Sequence, residues 1–324
     1  MRLERIALAG LCCLFLAAAC APRSSVDAPA ERAPSAPPAK QALRFNWPDG
    51  ATAEVTERIL KKGRHSTTHY RIATERDGDD WLIFYRNFEF REVEGLDLQD
   101  PRVVAALDQV ATQAVGRLPP YRVSSDGRWL GVDMDAFLAA MKGVLPDEMV
   151  ATLHKSMAVP GMEAMLDEKL GEFWRTWVEL WIGMQLEPGE SLDGAFEVSV
   201  LGRPLSIPAT VEHLGAADGR VRMRASSVLE GPAAAAAVGT MALQFSESVD
   251  GDTPLPVSDW ETRSDQMQVR RLSTAETVTD PVTLLPTQAM LELRVTVIVD
   301  GEKHERVEAH EWIFDWSGGR DVAR

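Results

Sequence analysis

LELRVTVIVDGEKHERVEAHEWIFDW, residues 291–316, is the stretch that decides the fold. Leu291, Leu293, Val295, Val297 and Val299 point one way, while Glu292, Arg294 and Thr296 point the other. Successive side chains leave opposite faces of a pleated backbone, so a period of two marks a half-buried antiparallel strand. Asp300-Gly301 tolerates the positive φ angles of a tight hairpin. On the returning strand Trp312, Phe314 and Trp316 share one face. Two antiparallel strands with an aromatic inner face are predicted.

Other Asp-Gly pairs punctuate the chain: Asp49-Gly50, Asp77-Gly78, Asp126-Gly127, Asp193-Gly194, Asp218-Gly219 and Asp250-Gly251. Several separate alternating runs, such as Tyr70 to Ile72 and Trp81 to Phe90, or Tyr121 to Val123 and Trp129-Leu130, and so predict further hairpins. Between about 100 and 186 the period changes. Asp100-Pro101 reads as an N-cap and first-turn proline ahead of Val103, Leu107, Val110 and Ala114, with Gly116 as the stop. Phe137, Met141 and Val144 predict a second helix ending at Pro146. Met149, Leu153 and Met157 predict a third ending at Pro160-Gly161. The longest, 162–186, ends at Pro188-Gly189, and Pro232 with Ala233 to Ala237 starts one more. Strands, a helical insert and strands again predict an α+β fold. Its architecture would be a curved antiparallel sheet with the inserted helices packed on one face, in a single domain spanning 43–324.

The N-terminus has a different character. Arg2 and Arg5 precede an apolar core, Ile6 to Leu16, that is too short for a permanent membrane span. Leu16-Ala17-Ala18-Ala19-Cys20 resembles the lipobox of bacterial lipoprotein precursors, with Ala17 where a larger aliphatic residue is usual. The resemblance implies cleavage after residue 19, acylation of Cys20 (palmitate among its chains) and anchoring to a membrane. Ala21 after the cysteine implies an outer-membrane destination, facing the periplasm. A rival reading takes Ala17 to Ala19 as an ordinary signal-peptidase site that releases a soluble protein with one odd thiol. Residues 20–42, rich in Pro, Ala and Ser, read as a disordered tether reaching up to about 70 Å.

Removing Arg2, Arg5 and Glu4 from 34 basic and 49 acidic residues leaves a balance of −16. Such a surface repels nucleic acid and anionic headgroups. Cys12 and Cys13 fall in the leader, so no disulfide can form within the mature chain.

Catalytic signatures are missing. The chain has no Gly-x-Ser-x-Gly elbow, Ser-x-x-Lys, P-loop or dinucleotide fingerprint, and nothing asks for a cofactor. His65 and His69 fall on a predicted strand about 13 Å apart, too far to share a metal ion. His304 and His310 are no better placed, so these read as surface or sheet-edge histidines. Arg220, Arg222 and Arg224 alternate along one strand and could grip an anion, or simply form a charged face.

The predicted long helix carries Trp174, Trp177, Trp181 and Met184 at 3-4-3 spacing, beside Met165, Leu170, Phe173 and Leu180. Met134, Met141, Met149, Met157 and Met162 crowd the same region. A stripe this wide needs covering by other apolar surface. It could be ordinary core, or it could line a cavity, shared with Trp312 or Phe314, for an acyl chain or another lipoprotein segment. The order of elements resembles the half-barrel of bacterial lipoprotein-carrier proteins, which implies such a cavity. The resulting expectation is a lipid-anchored envelope protein that binds an apolar ligand or an envelope component. A solid-cored scaffold and a periplasmic hydrolase without a recognisable motif are the alternatives.

Overall fold

A computed structural model describes residues 42–113, 118–141, 148, 150–151, 162–200, 203–231, 234, 268–299 and 302–317. The strands are β1 (Thr52–Lys61), β2 (Arg64–Asp77), β3 (Asp80–Val93), β4 (Tyr121–Val123), β5 (Trp129–Val132), β6 (Ser191–Val200), β7 (Arg203–Ala217), β8 (Arg220–Glu230), β9 (Gln268–Thr279), β10 (Pro286–Val299) and β11 (Glu302–Ser317). They form one antiparallel sheet in the order β5-β4-β3-β2-β1-β11-β10-β9-β8-β7-β6. The first and last strands are neighbours, with Val55 opposite Phe314 and Ala53 opposite Trp316. That pairing joins two meanders into one surface and leaves β5 and β6 as its edges.

The alternation that predicted strands 291–299 and 312–316 sets the inner face. Leu291, Leu293, Trp312 and Phe314 are buried, and Val55, Ile72 and Ile83 continue that layer across the N-terminal strands. Asp218 and Gly219 both take positive φ, 52° and 74°, between β7 and β8. This is the mirror-image turn that suits the twist of antiparallel strands. Asp193-Gly194, in contrast, lies within β6 and turns nothing. Asp300-Gly301 and Asp250-Gly251 lie outside the described residues.

The expected α+β class is corrected by this architecture. Strand accounts for 57% of the structure and helix for 19%, which makes the fold mainly β. There are two causes. Strands β2, β3, β7, β10 and β11 run to 14–16 residues, longer than their turn signals implied. The helices are short: α1 (Pro101–Gln113), α2 (Met134–Met141), α3 (Met162–Leu170) and α4 (Glu172–Trp177), followed by a 3-10 turn at Glu179–Trp181. Helix α1 starts as predicted, with the Asp100 carbonyl accepting from Val103 and Val104. The stops at Gly116 and Pro146, most of the third predicted helix and most of the one at Pro232 lie outside the described residues.

The single helix predicted over 162–186 is broken twice. Gly171 separates α3 from α4, and Val178 leaves helical geometry at φ −136° and ψ −59°. Side-chain donors also bond the carbonyls of this segment. The Thr176 hydroxyl donates to the Glu172 carbonyl at 2.9 Å, and the Trp181 indole donates to the Thr176 carbonyl at 2.8 Å. Ile182 and Gly183, the latter at φ 81°, then make a turn closed by Met184 N donating to the Trp181 carbonyl.

Helix α4 is buried on nearly every side: Glu172, Trp174, Arg175, Thr176 and Trp177 are all inaccessible. Its neighbours show how. Trp177 meets Tyr85 of β3 at a ring separation of 6.4 Å, while Thr176 and Leu180 share a cavity wall with Phe196 of β6. In sheet order β3 and β6 are eight spacings apart, or roughly 38 Å along a flat sheet. A helix is only about 10 Å across, so the sheet curls around α4. Edge strand β5 is capped from inside. Asp167 of α3 accepts from Val132 N and from the Trp129 indole, and Glu179 accepts from Trp129 N. A small satellite core of Phe137, Leu138, Ala140, Val150 and Leu166 lies under α2 and α3.

If Trp177 is the centre of this packing, Trp177→Ala should lower the unfolding free energy by about 3–5 kcal/mol. Urea denaturation followed by far-UV circular dichroism would check this. A change below about 1 kcal/mol would mean that the ring is not core.

Candidate functional site

The interior enclosed by the sheet has an aromatic part and an ionic part, with α4 between them. In the aromatic part Trp174, Trp177, Trp181, Trp312 and Phe314 are all buried, and Met184 packs against them half-covered. The rings pack on each other. Trp177 is edge-on to Trp312 at 5.6 Å and to Phe314 at 5.1 Å, and Phe173 lies 5.0 Å from Trp312. The Trp174 indole donates to the Gly127 carbonyl at 2.7 Å. The structure therefore gathers the six predicted apolar residues, but as a filled core and not as the wall of an elongated void. Of the methionines, Met134 packs under the satellite core. The side chains of Met141, Met149, Met157, Met162 and Met165 lie outside the described ones.

Open space lies on the other flank of α4. Glu172, Arg175, Thr176 and Leu180 face Phe196, Ala225, Ser227, Ser273, Ala275 and Leu291 across a cavity of about 30 Å³. That is room for roughly one water. The sheet side is made of small residues because the register stacks them: Ala225 lies opposite Ala275, and Ser227 opposite Ser273. These four form a shallow recess in the inner wall, directly under the helix.

The ionic part was not foreseen. His310, predicted at the surface, is 3% exposed. Its ring stacks on Trp312 and touches Phe173 of α4 at 5.1 Å. Its Nδ1 is 2.8 Å from Glu57 Oε1, and its Nε2 is 3.3 Å from Glu308 Oε1. A carboxylate at each nitrogen calls for an N–H at each, which is the charged imidazolium. Glu308 also pairs with Lys61 at 3.1 Å and Arg306 at 3.3 Å. Across the gap, Lys169 of α3 pairs with buried Glu172 of α4. The cluster thus bridges the helices and the β1–β11 seam. Its sequence signal was parity: Glu57 and Lys61 share the inward register of Val55, and Glu308 and His310 share that of Trp312.

Electrostatics follow from the contacts. Burial opposes the charged forms, but the partners prevail. The hydrogen bond from His310 and the charges of Lys61 and Lys169 bring the Glu308 carboxyl down to about 2. Hydrogen bonds to Glu308 and Glu57 raise the His310 pKa above the ordinary imidazole value.

Arg220, Arg222 and Arg224 lie on the outside of β8, away from this interior. Arg222 and Arg224 each reach a different oxygen of Glu276 at 2.7 Å, and Arg224 also lies 3.8 Å from Glu212. The anion they hold is thus a neighbouring strand's carboxylate, and Arg220 stays exposed at the turn. His69 lies 3.9 Å from Glu54 on the same outer layer. Cys20 lies outside the described residues.

One further group has no counterpart in the predictions. Leu43, Phe45 and Trp47, at every second position at the start of the described chain, insert into the aromatic part. Their alternation is the only signal that could have revealed them, and three residues are too few to stand out from a Pro-rich leader.

Because the His310 pKa is raised on folding, its stabilising contribution is complete below about pH 6.5. It is lost as pH rises through the higher native value. The urea midpoint should therefore fall as pH rises above about 6.5, and His310→Gln should flatten that decline. Identical profiles for both proteins would show that the charged ring does not matter.

No helix among the described residues is long and apolar enough to cross a membrane. No protein-family model matches the chain, and no curated protein is significantly similar to it in sequence.

Proposed function

We propose that the chain is an envelope lipoprotein, held to the membrane by acyl chains on Cys20, whose body binds an apolar, chain-like ligand without catalysing a reaction. The observation that carries this reading is the recess of Ala225, Ser227, Ser273 and Ala275 beneath α4. Here the register sets two alanines and two serines side by side, and their short side chains leave a gap against Glu172, Arg175, Thr176 and Leu180 of the helical segment. Ligand sites of proteins are concave and mostly apolar with a few polar groups. The lining has both kinds of group: Leu180, Phe196, Ala225, Ala275 and Leu291 supply apolar surface, and Glu172, Arg175, Thr176, Ser227 and Ser273 supply polar groups. The resemblance of the leader to lipoprotein precursors supports the address, and that of the element order to lipoprotein carriers supports the ligand class. Acidity of the exterior suits an envelope-protein partner better than an anionic membrane surface or nucleic acid.

A second reading has its own observation. The void beneath α4 is water-sized, as it would be in a scaffold whose core is simply complete. Native mass spectrometry of the purified protein separates the two. Binding predicts copurifying lipid, and Ala275→Val, which narrows the recess by two methyl groups, should reduce it while the protein stays folded. A lipid-free mass in every preparation would support the scaffold.

The anchor is tested separately. Cys20→Ala should abolish incorporation of labelled palmitate and shift the protein out of the membrane fraction. Unchanged labelling and fractionation would contradict the proposed attachment.

A further inference from the structure

Leu43 to Trp47 crosses the aromatic end of the interior as a strap, outside every strand of the sheet. Among the described residues three backbone hydrogen bonds hold it: Leu43 N to the Met184 carbonyl, Gly183 N to the Leu43 carbonyl, and Asn46 N to the Thr283 carbonyl. Its remaining attachment is through side chains. Phe45 sits edge-on to Trp174 at 5.7 Å and to Trp81 at 6.0 Å. Trp47 sits 5.1 Å from Trp174 and 4.9 Å from Trp316, and its indole donates to the Leu284 carbonyl. Arg44 and Asn46 point to solvent.

The floor under Phe45 is Gly127, at φ +87°, where a Cβ would come within 2.5 Å of the Phe45 ring. Trp81, Trp174, Trp316 and Gly127 therefore form a seat shaped for a flat or chain-like apolar group. At present the protein's own chain fills it. Elements of the sheet are tied by ladders of ten or more paired residues along β1, β10 and β11, whereas the strap can leave without breaking one. Trp174 belongs to α4, so the seat and the recess flank the same helix.

We propose that Leu43–Trp47 is a built-in competitor for an acyl chain that extends past α4 from the recess, and that such a chain displaces the strap from the seat formed by Trp81, Trp174, Trp316 and Gly127. This rests on the binding function proposed above. The strap is the segment that joins the body to the tether, so displacement also frees more chain between the membrane and the sheet. Exchange is between like and like: aromatic and aliphatic side chains leave the seat as methylene groups enter it. The seat stays covered throughout, while Leu43, Phe45 and Trp47 pass into water, so the entering chain has to bury more apolar surface than the strap gives up.

The test is titration of the full mature protein with a dansyl-labelled undecanoic acid, read by fluorescence, alongside hydrogen exchange of residues 42–48 with and without the probe. Removing a competitor raises the fraction of protein competent to bind, so Phe45→Ala should bind about tenfold more tightly than wild type. In wild type the probe should speed exchange of the Leu43 and Asn46 amides. Phe45→Leu, a milder change, should bind with intermediate affinity and guards against loss of fold in the alanine variant. Probe binding by wild type with no gain in either variant, or with slower exchange at Leu43 and Asn46, would overturn the competitor role while sparing the binding function. An absence of binding by wild type and both variants would overturn the two together.

Discussion

The burial of α4 is the constraint on which the rest of the structure depends. Eleven strands in one sheet present a large inner face, and the described helices are too short to cover it as a separate layer. The face is covered largely by itself: the sheet curls until strands as far apart as β3 and β6 both reach one six-residue helix. Indoles make this possible because each supplies a broad apolar area with few rotatable bonds. Trp174, Trp177 and Trp181 project in different directions and so meet the strap, β3, β11 and the helix end at once. The break at Val178 keeps the helix short enough to fit.

The ionic cluster fixes what apolar packing alone would leave loose. A one-residue slip in a strand turns every side chain to the opposite face. In the β1–β11 seam such a slip would carry Lys61 away from Glu308 and Glu57 away from His310, stranding charges in the interior. Buried pairs contribute little over an apolar filling, but losing one partner is expensive. The cluster therefore penalises wrong registers more than it stabilises the right one. It also ties α3 and α4 to that seam through Lys169 and Glu172, at the end of the interior away from the strap.

Legibility in the sequence followed the length of each pattern. Leu291 to Val299 and Trp312 to Trp316 were long enough for parity alone to give strand, face and neighbour. The stripe Trp174, Trp177, Trp181 was left open between core and cavity wall and was read as one continuous helix, where the structure has two short pieces. At the break the Trp181 indole bonds the Thr176 carbonyl in place of a helical N–H, which no periodicity records. The class was missed for a related reason: turn signals mark where strands end but say little about how many strands share a sheet. Glu57, Glu308 and His310 escaped notice because charge suggests solvent, although their parity placed them inside. The recess depended on register between β8 and β9, which pairs small residues that are nearly fifty positions apart.

The account stands or falls on α4 lying at the centre of a curled sheet and not on its surface. Hydrogen exchange of the ligand-free protein, resolved residue by residue, measures this most directly. Amides of Arg175 and Val178, bonded within α4 to Gly171 and Trp174, should exchange as slowly as the central amides of β10 and β11, by global unfolding alone. Exchange at the faster rate of the half-exposed helix α1, with the sheet still protected, would show that the sheet does not close around α4.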